Sequence, residues 1–511
     1  MLTLGVVLEA LGGVQPEKLE REVLSKDQLH ARLAALLNQP ITGGVADSRE
    51  AYPGAIFVAL PGENVDGHDY VLDAFERGAL LALIQRELPI ASPIIDLRHD
   101  FGAEANSFRI ENLLETLSTV EIGKPFCILV NDSLASLQKV AGYWRSKLNV
   151  RVIGITGSVG KSTTKEVIAD VLGQRFRTLK NPGNQNNEIG LPLTLLRLTS
   201  THERAVLEMG FYVAGEIALL CDLSKPDIGV ITNIGTVHAE RAGSQEAIAR
   251  GKAELVQALP PAPQGVAILN YDDPLVRAMA SQTRARVFFY GLSPEAKLWA
   301  DQVEGLGLDG ISFRLHFRNE VLYLRVPLIG RHSVHTVLRA AAVGLIEGLT
   351  WQEIVKGLRS ERTQLRLVTV RSRQGATILD DTYNASPEST LAALNLLEEL
   401  DVETGDIPGR KIAVLGDMLE LGIYEKLGHE EVGARAAEVV DELVTIGERG
   451  KLIADAAWQA GLSKKKISSY SSNQQAINYL LEHLTRNDIV LIKGSRGMLM
   501  DQIVAALETQ P

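Results

Sequence analysis

The feature that most constrains this chain is a short apolar run, residues 152–155, leading directly into Thr156-Gly157-Ser158-Val159-Gly160-Lys161-Ser162-Thr163, with a helical pattern after it. A strand, a glycine-rich turn and a helix in that order make an anion cradle. Glycines let backbone N–H groups turn inward, and the helix start adds partial positive charge. Lys161 can reach β- and γ-phosphate oxygens, and the Ser162 hydroxyl can ligate Mg²⁺. The strict phosphate-loop pattern has a further glycine where Ile155 stands, so the chain keeps only the shorter Gly-x-x-Gly-Lys-Ser core. The alternative, a chance glycine turn followed by Lys-Ser, does not account for the strand and helix on either side. The expected nucleotide contacts are Gly157, Ser158, Val159, Gly160, Lys161, Ser162 and Thr163.

The surrounding pattern places this loop in an α/β fold. Strand-length apolar runs recur at 152–155, 205–207, 228–231 and 266–269, with helical stretches between some of them. Over 162–176, Val167, Ile168, Val171 and Leu172 share one face at the helical period. A second series has strands expected at 377–379, 412–415, 443–446 and 489–492, and helices at 387–399, 426–440 and 474–484. Such alternation favours parallel sheets covered by helices. Many strands end in polar or glycine residues, among them Glu208, Asn233, Asn270, Asp381, Asp417 and Lys493, at the sheet edge where open α/β sheets bind ligands. Residues 1–98 hold short segments and many turns. Residues 99–125 are polar, weakly patterned, and read as a linker or insertion.

A length of 511 residues accommodates three or four domains. The net charge of −11 argues against nucleic acid as the main partner. The two cysteines, Cys127 and Cys221, fit no metal spacing and read as buried thiols. The apolar N-terminus has no basic residue before Lys18, unlike a signal peptide, and no apolar run reaches membrane-spanning length. A cytoplasmic protein without membrane insertion is expected.

The loop in this setting resembles the Mur ligases, ATP-dependent amino-acid-adding enzymes of peptidoglycan synthesis. The resemblance continues through Asn184-Gln185-Asn186-Asn187-Glu188-Ile189-Gly190, Glu208-Met209-Gly210, His238, Lys252, Gly330-Arg331-His332 and Arg366. Asp380-Asp381-Thr382-Tyr383-Asn384, Leu415-Gly416-Asp417 through Glu420, and Lys493-Gly494-Ser495-Arg496 extend it. Asp47-Ser48-Arg49 and Asp66-Gly67-His68-Asp69 are similar to the family's UDP-muramoyl-binding region. Each motif is weak alone; their joint order is specific.

The resemblance implies three α/β domains: a UDP-substrate-binding domain at 1–124, a central phosphate-loop domain with a parallel sheet at 125–362, and a Rossmann-like C-terminal ligase domain at 363–511. It implies that ATP activates a peptide carboxylate as an acyl phosphate, which an amine then attacks. The segment around Asn184–Asn187 is similar to that of the branch joining D-alanyl-D-alanine to a UDP-N-acetylmuramoyl-tripeptide. By resemblance, Ser162, Glu208, His238 and Lys252 hold Mg²⁺, two ions in all, with Lys252 carbamylated. Lys161, His238, Lys252 and Arg366 serve catalysis, and Asn270, His332, Arg366 and Asp381 join the nucleotide site. Ser48, Arg49, Asn184, Asn187, Asn384, Asp417, Glu420 and Lys493 are candidate substrate contacts, and a monomer is expected. The sequence departs from the family at Ser333 and Thr336, where relatives carry asparagines that bind adenine; hydroxyls cannot present the same paired donor and acceptor. Two other readings compete: a sister ligase adding a diamino acid to a dipeptide precursor, and a non-catalytic nucleotide-binding scaffold or nucleotide-driven switch.

Overall fold

A computed structural model of the chain describes residues 1–13, 15, 19, 27–62, 65–98, 107–236, 239–360, 368–402 and 408–508. The backbone forms two compact units. One comprises residues 1–154, 176–210 and 218–226; the other comprises 155–175, 211–217 and 227–511.

The N-terminal sheet has five strands in the order Gly43–Val45, Ala55–Val58, Leu81–Ile84, Phe126–Leu129, Ile94–Asp96, all parallel. Its central strands are buried without interruption, as expected where both faces are covered. This sheet corrects the sequence reading. Phe126–Leu129, taken as the opening of the central series, pairs instead with Leu81–Ile84. The stretch read as linker or insertion contains a helix, Ser107–Thr119. Leu113 and Leu117 on it are buried.

A nine-stranded sheet carries the phosphate loop. Its order is Glu320–Val326, Ile311–Phe317, Leu298–Gly305, Arg286–Gly291, Val266–Asn270, Ile228–Ile231, Arg151–Thr156, Arg204–Glu208, Thr178–Lys180. The first three form an antiparallel meander that the sequence reading did not anticipate. Arg151–Thr156 ends at the loop, and the helix Lys161–Leu172 follows with Val167, Ile168, Val171 and Leu172 buried as the period requires. Ser333–Ile346 and Trp351–Leu358 both pack on that helix.

The C-terminal sheet has six strands, ordered Val368–Arg371, Thr377–Asp380, Ile489–Lys493, Lys411–Gly416, Glu442–Ile446, Ile467–Tyr470; only the first pairing is antiparallel. Alternation decides its two cores. Ala413 and Leu415 point into one cluster with Leu394, Leu397, Val432 and Ile453. Ile412 and Val414 point into the other with Ile477, Leu480 and Ile503. The inner strands Ile489–Lys493, Lys411–Gly416 and Glu442–Ile446 thus bury both faces, the pattern of a doubly covered sheet.

Gly357 shows how tightly the phosphate-loop helix is held. A Cβ there would meet the Val171 Cα at 2.5 Å and the Val171 N at 2.9 Å. Replacing Gly357 with Val is expected to destabilise the protein by about 1–3 kcal/mol through overpacking, read as a lower urea midpoint at unchanged slope.

Candidate active site

The phosphate loop takes its shape from two glycines and one neighbouring strand end. Gly157 has φ +146° and Gly160 φ +82°, conformations that side chains resist. A Cβ on Gly157 would overlap the Thr232 side chain. The Ser158 N–H donates to the Asn233 carbonyl at 2.9 Å, and the Val159 N–H to Asn233 Oδ1 at 2.8 Å. The Gly235 N–H donates to Ser158 Oγ at 2.8 Å. Asn233 therefore templates the turn. It appears in the sequence only as one polar strand end among many.

Two lysines converge on this turn. Lys161 Nζ donates to the carbonyls of Gly157 and Ser158 at 2.9 and 3.2 Å. Lys252, on the helix Gln245–Gln257, is 1% exposed, and its Nζ donates to the same Gly157 oxygen at 3.0 Å. Burial, and then the neighbouring Lys161 cation, hold the Lys252 amine well below the usual lysine range. Lys252 Nζ also lies 4.8 Å from the Phe211 ring centroid.

Asn270 ends its strand in a nearly buried position. Its Nδ2 donates to the Thr232 carbonyl at 3.3 Å, and its Oδ1 accepts from the Asp272 N–H at 3.1 Å. Asp273 Oδ2 accepts from the Ile234 N–H at 2.8 Å. His332 keeps an exposed edge, but the protein packed around it, and then His335, Arg339 and Lys493, lower its pKa to about 4. Its ring is therefore neutral at pH 7. His238 and Arg366 lie outside the described residues.

Glu208 closes the strand Arg204–Glu208 and is 2% exposed. The sequence segment 184–190 wraps this strand end. Asn186 Nδ2 donates to Glu208 Oε1 at 2.8 Å, and the Gly210 N–H donates to the Asn186 carbonyl at 2.8 Å. Asn181 brackets the Glu208 backbone, accepting from its N–H at 2.9 Å and donating to its carbonyl at 3.1 Å. Asn187 Oδ1 accepts from the Gly190 N–H at 2.9 Å, at the start of the helix Gly190–Leu195. Asn184 is exposed.

In the C-terminal fold, Lys493 is 2% exposed. Its Nζ binds Asp381 Oδ2 at 2.6 Å and the Asn384 carbonyl at 2.8 Å, joining three of the sequence candidates. Glu420 adopts φ +64° and lies 3.9 Å from Arg241. Its carbonyl accepts from the Glu240 N–H at 3.2 Å. Nearby, Glu388 Oε1 accepts from the Thr236 N–H and hydroxyl at 3.0 and 3.3 Å. In the N-terminal fold, Arg49 is exposed and pairs with Asp47 at 2.6 Å, while Ser48 is buried. The Arg49 guanidinium, donating hydrogen bonds to the Asp47 carboxylate, holds Asp47 below the usual carboxylate range.

Asp417 is engaged by its own fold. Its Oδ1 accepts from the Gly450 N–H at 2.8 Å, at the start of the helix Gly450–Gln459, where negative charge is favourable. Its carbonyl accepts from the Ser495 N–H at 3.0 Å.

Three family models cover most of the chain: the Mur ligase family, catalytic domain, over residues 40–119; the Mur ligase middle domain over 155–344; and the Mur ligase, glutamate ligase domain, over 365–496. The chain is 36% identical over 477 residues to the UDP-N-acetylmuramoyl-tripeptide–D-alanyl-D-alanine ligase of Bacillus subtilis, covering 93% of this chain and 94% of that one. A crystal structure of MurF from Acinetobacter baumannii superposes with a TM-score of 0.73 at 28% identity, covering 90% of this chain and 92% of the other. The MurF ligase of Thermotoga maritima in complex with ADP gives 0.70 at 26% identity, covering 91% and 96%. The chain belongs to the Mur ligase family, and its α/β architecture with parallel sheets matches that family's three-domain fold.

Replacing Asp417 with Ala should orphan the Gly450 N–H and remove a favourable charge at a helix start. A loss of about 1–2 kcal/mol is expected, measured by chemical unfolding of the full chain.

Proposed function

We propose that the chain is an ATP-dependent ligase that adds D-alanyl-D-alanine to a UDP-N-acetylmuramoyl-tripeptide in the cytoplasm, making the pentapeptide precursor of peptidoglycan. The observation that carries this reading is the convergence of Lys161 and the buried Lys252 on the Gly157 carbonyl, at a glycine-turned helix start.

The chemistry needs an activated acid. A carboxylate has a poor leaving group, and its conversion to an acyl phosphate supplies a good one. Both the carboxylate and the γ-phosphate are anions, so charge must be offset before they meet. The loop from Gly157 to Thr163 binds the triphosphate through the N–H groups that Asn233 does not take, and Lys161 turns from the loop carbonyls to the phosphate oxygens. Arg366 approaches the γ-phosphate, and Asn270, His332 and Asp381 complete the nucleotide site. Domain closure excludes water from the acyl phosphate.

The donor chemistry fits Mg²⁺: the Ser162 hydroxyl at a helix start, the buried Glu208 carboxylate held by Asn186, and His238. Magnesium there supplies charge neutralisation between the two anions. Burial lowers the Lys252 pKa and so favours the neutral amine that can add to CO₂ with loss of a proton, and Lys252 is assigned as a carbamate whose new carboxylate would join the metal donors. Ser48 and Arg49 bind the uridine diphosphate end, and Asn184 faces the muramoyl-peptide. Asn187 and Asp417 hold their loops in place, while Asn384, Glu420 and Lys493 shape the dipeptide site. We place the first domain boundary after Phe126–Leu129, with the central domain running to 362 and the ligase domain over 363–511.

Incubation with ATP, Mg²⁺, UDP-muramoyl-tripeptide and D-Ala-D-Ala should yield ADP and the pentapeptide product in equal amounts by mass spectrometry. Absence of both overturns the proposal. Replacing Lys252 with Ala should cut turnover by roughly 10²-fold or more, the scale of losing one charge-stabilising group, with partial recovery in added acetate. Full turnover without acetate rules out the carbamate.

A further inference from the structure

We infer that Arg339 is a phosphate-binding residue for the nucleotide, a cation stored beside the loop. The inference rests on the ATP reading above and adds a residue to its site.

The hydroxyls at 333 and 336 are turned inward. Ser333 Oγ donates to the Ile329 carbonyl at 2.7 Å. Thr336 Oγ1 accepts from Arg339 Nη2 at 2.8 Å. Arg339 lies one turn further along the same helix and is 4% exposed. Its Nη1 donates to the Tyr290 hydroxyl at 3.4 Å. That hydroxyl is itself committed, donating to the carbonyls of Ile231 and Thr232 at 3.1 and 3.2 Å.

Neutral oxygens, and the Tyr290 ring 5.8 Å from the guanidinium carbon, therefore surround a buried guanidinium. Its Nε is buried with no hydrogen-bond partner. Among the described residues, no carboxylate pairs with it. Asp272 and Asp273 are the acids whose fields, like that of Arg339, reach Tyr290. Asp272 is held by His335 and by the N–H groups of Leu292 and Ser293. Asp273 is held by the N–H groups of Ile234, Leu275 and Val276. A buried charge without a counter-ion is costly, so such an arrangement persists where an anion completes it.

The anion's place is set by Gly160. A Cβ built on Gly160 would lie 3.5 Å from Arg339 Nη2, so the guanidinium flanks the αL residue that opens the phosphate-loop helix. The Thr164 hydroxyl, on the first turn of that helix, is likewise buried and without a partner. A planar guanidinium suits phosphate oxygens, to which it presents fixed, paired donors.

The test uses the full chain and ADP with Mg²⁺. Calorimetry on the unsubstituted protein comes first: no ADP binding there would sink the ATP reading itself, independently of Arg339. Arg339→Met should then raise the ADP Kd by about 10–100-fold, the size of a lost charged hydrogen bond. Its melting temperature without nucleotide should be unchanged or higher, because an uncompensated charge is gone. A guanidinium that merely supports the fold predicts the reverse, a lower melting temperature with unchanged ADP affinity, and that result overturns the inference. Unchanged ADP affinity at any melting temperature overturns it too. If Arg339→Met fails to fold, Arg339→Lys decides. Its charge is retained without the fork, so ADP binding should weaken by at least about threefold, and equal binding refutes the assignment.

Discussion

Two amines share one carbonyl oxygen, that of Gly157, and the rest of the active region depends on how that crowding is resolved. Two ammonium groups so close in a water-poor site repel strongly. The pair is relieved if Lys252 is neutral, which its burial favours, or if negative charge enters between them. Conversion of Lys252 to a carbamate and arrival of a nucleotide are both of the second kind. Where both amines carry charge, that crowding favours an anion between them.

That preference is useful only if the loop keeps its shape. The glycine conformations at 157 and 160 are sterically specified, while Asn233 supplies both a carbonyl and a side-chain oxygen to the turn. Tyr290, reaching across from the strand Arg286–Gly291 two places away in the sheet, holds the strand end before Asn233, and Asp273 fixes the backbone just beyond it. Arg339 Nε and the Thr164 hydroxyl are among the buried polar atoms without a hydrogen-bond partner, and both lie beside the loop.

Much of this was legible from sequence because phosphate binding is local. Residues 156–163 carry their strand, turn and helix in one continuous stretch, and the helix face of Val167, Ile168, Val171 and Leu172 follows from a simple period. The C-terminal series read nearly as well, since its strands are short apolar runs between amphipathic helices; Pro387–Glu399 has the bounds its pattern suggests. What stayed hidden is long-range. Asn233 acts on a turn over seventy residues earlier in the chain, and Arg339 belongs to none of the motifs quoted from the sequence. The antiparallel meander at 298–326 was missed because no strand-to-helix alternation marks it. Asp417 and Asn187, candidate substrate contacts from the motifs, each also accept a backbone N–H on Oδ1.

The strand Phe126–Leu129 carries a practical consequence. It enters the N-terminal sheet from beyond the helix Ser107–Thr119 and lies between Leu81–Ile84 and Ile94–Asp96. A fragment trimmed at residue 119, where the first family model ends, would remove an inner slat and leave two apolar strand edges facing an empty lane. Exposed edges of that kind recruit other chains. Anyone excising this portion for crystallisation or ligand screening should carry the cut past Leu129, or expect aggregates in place of a working module.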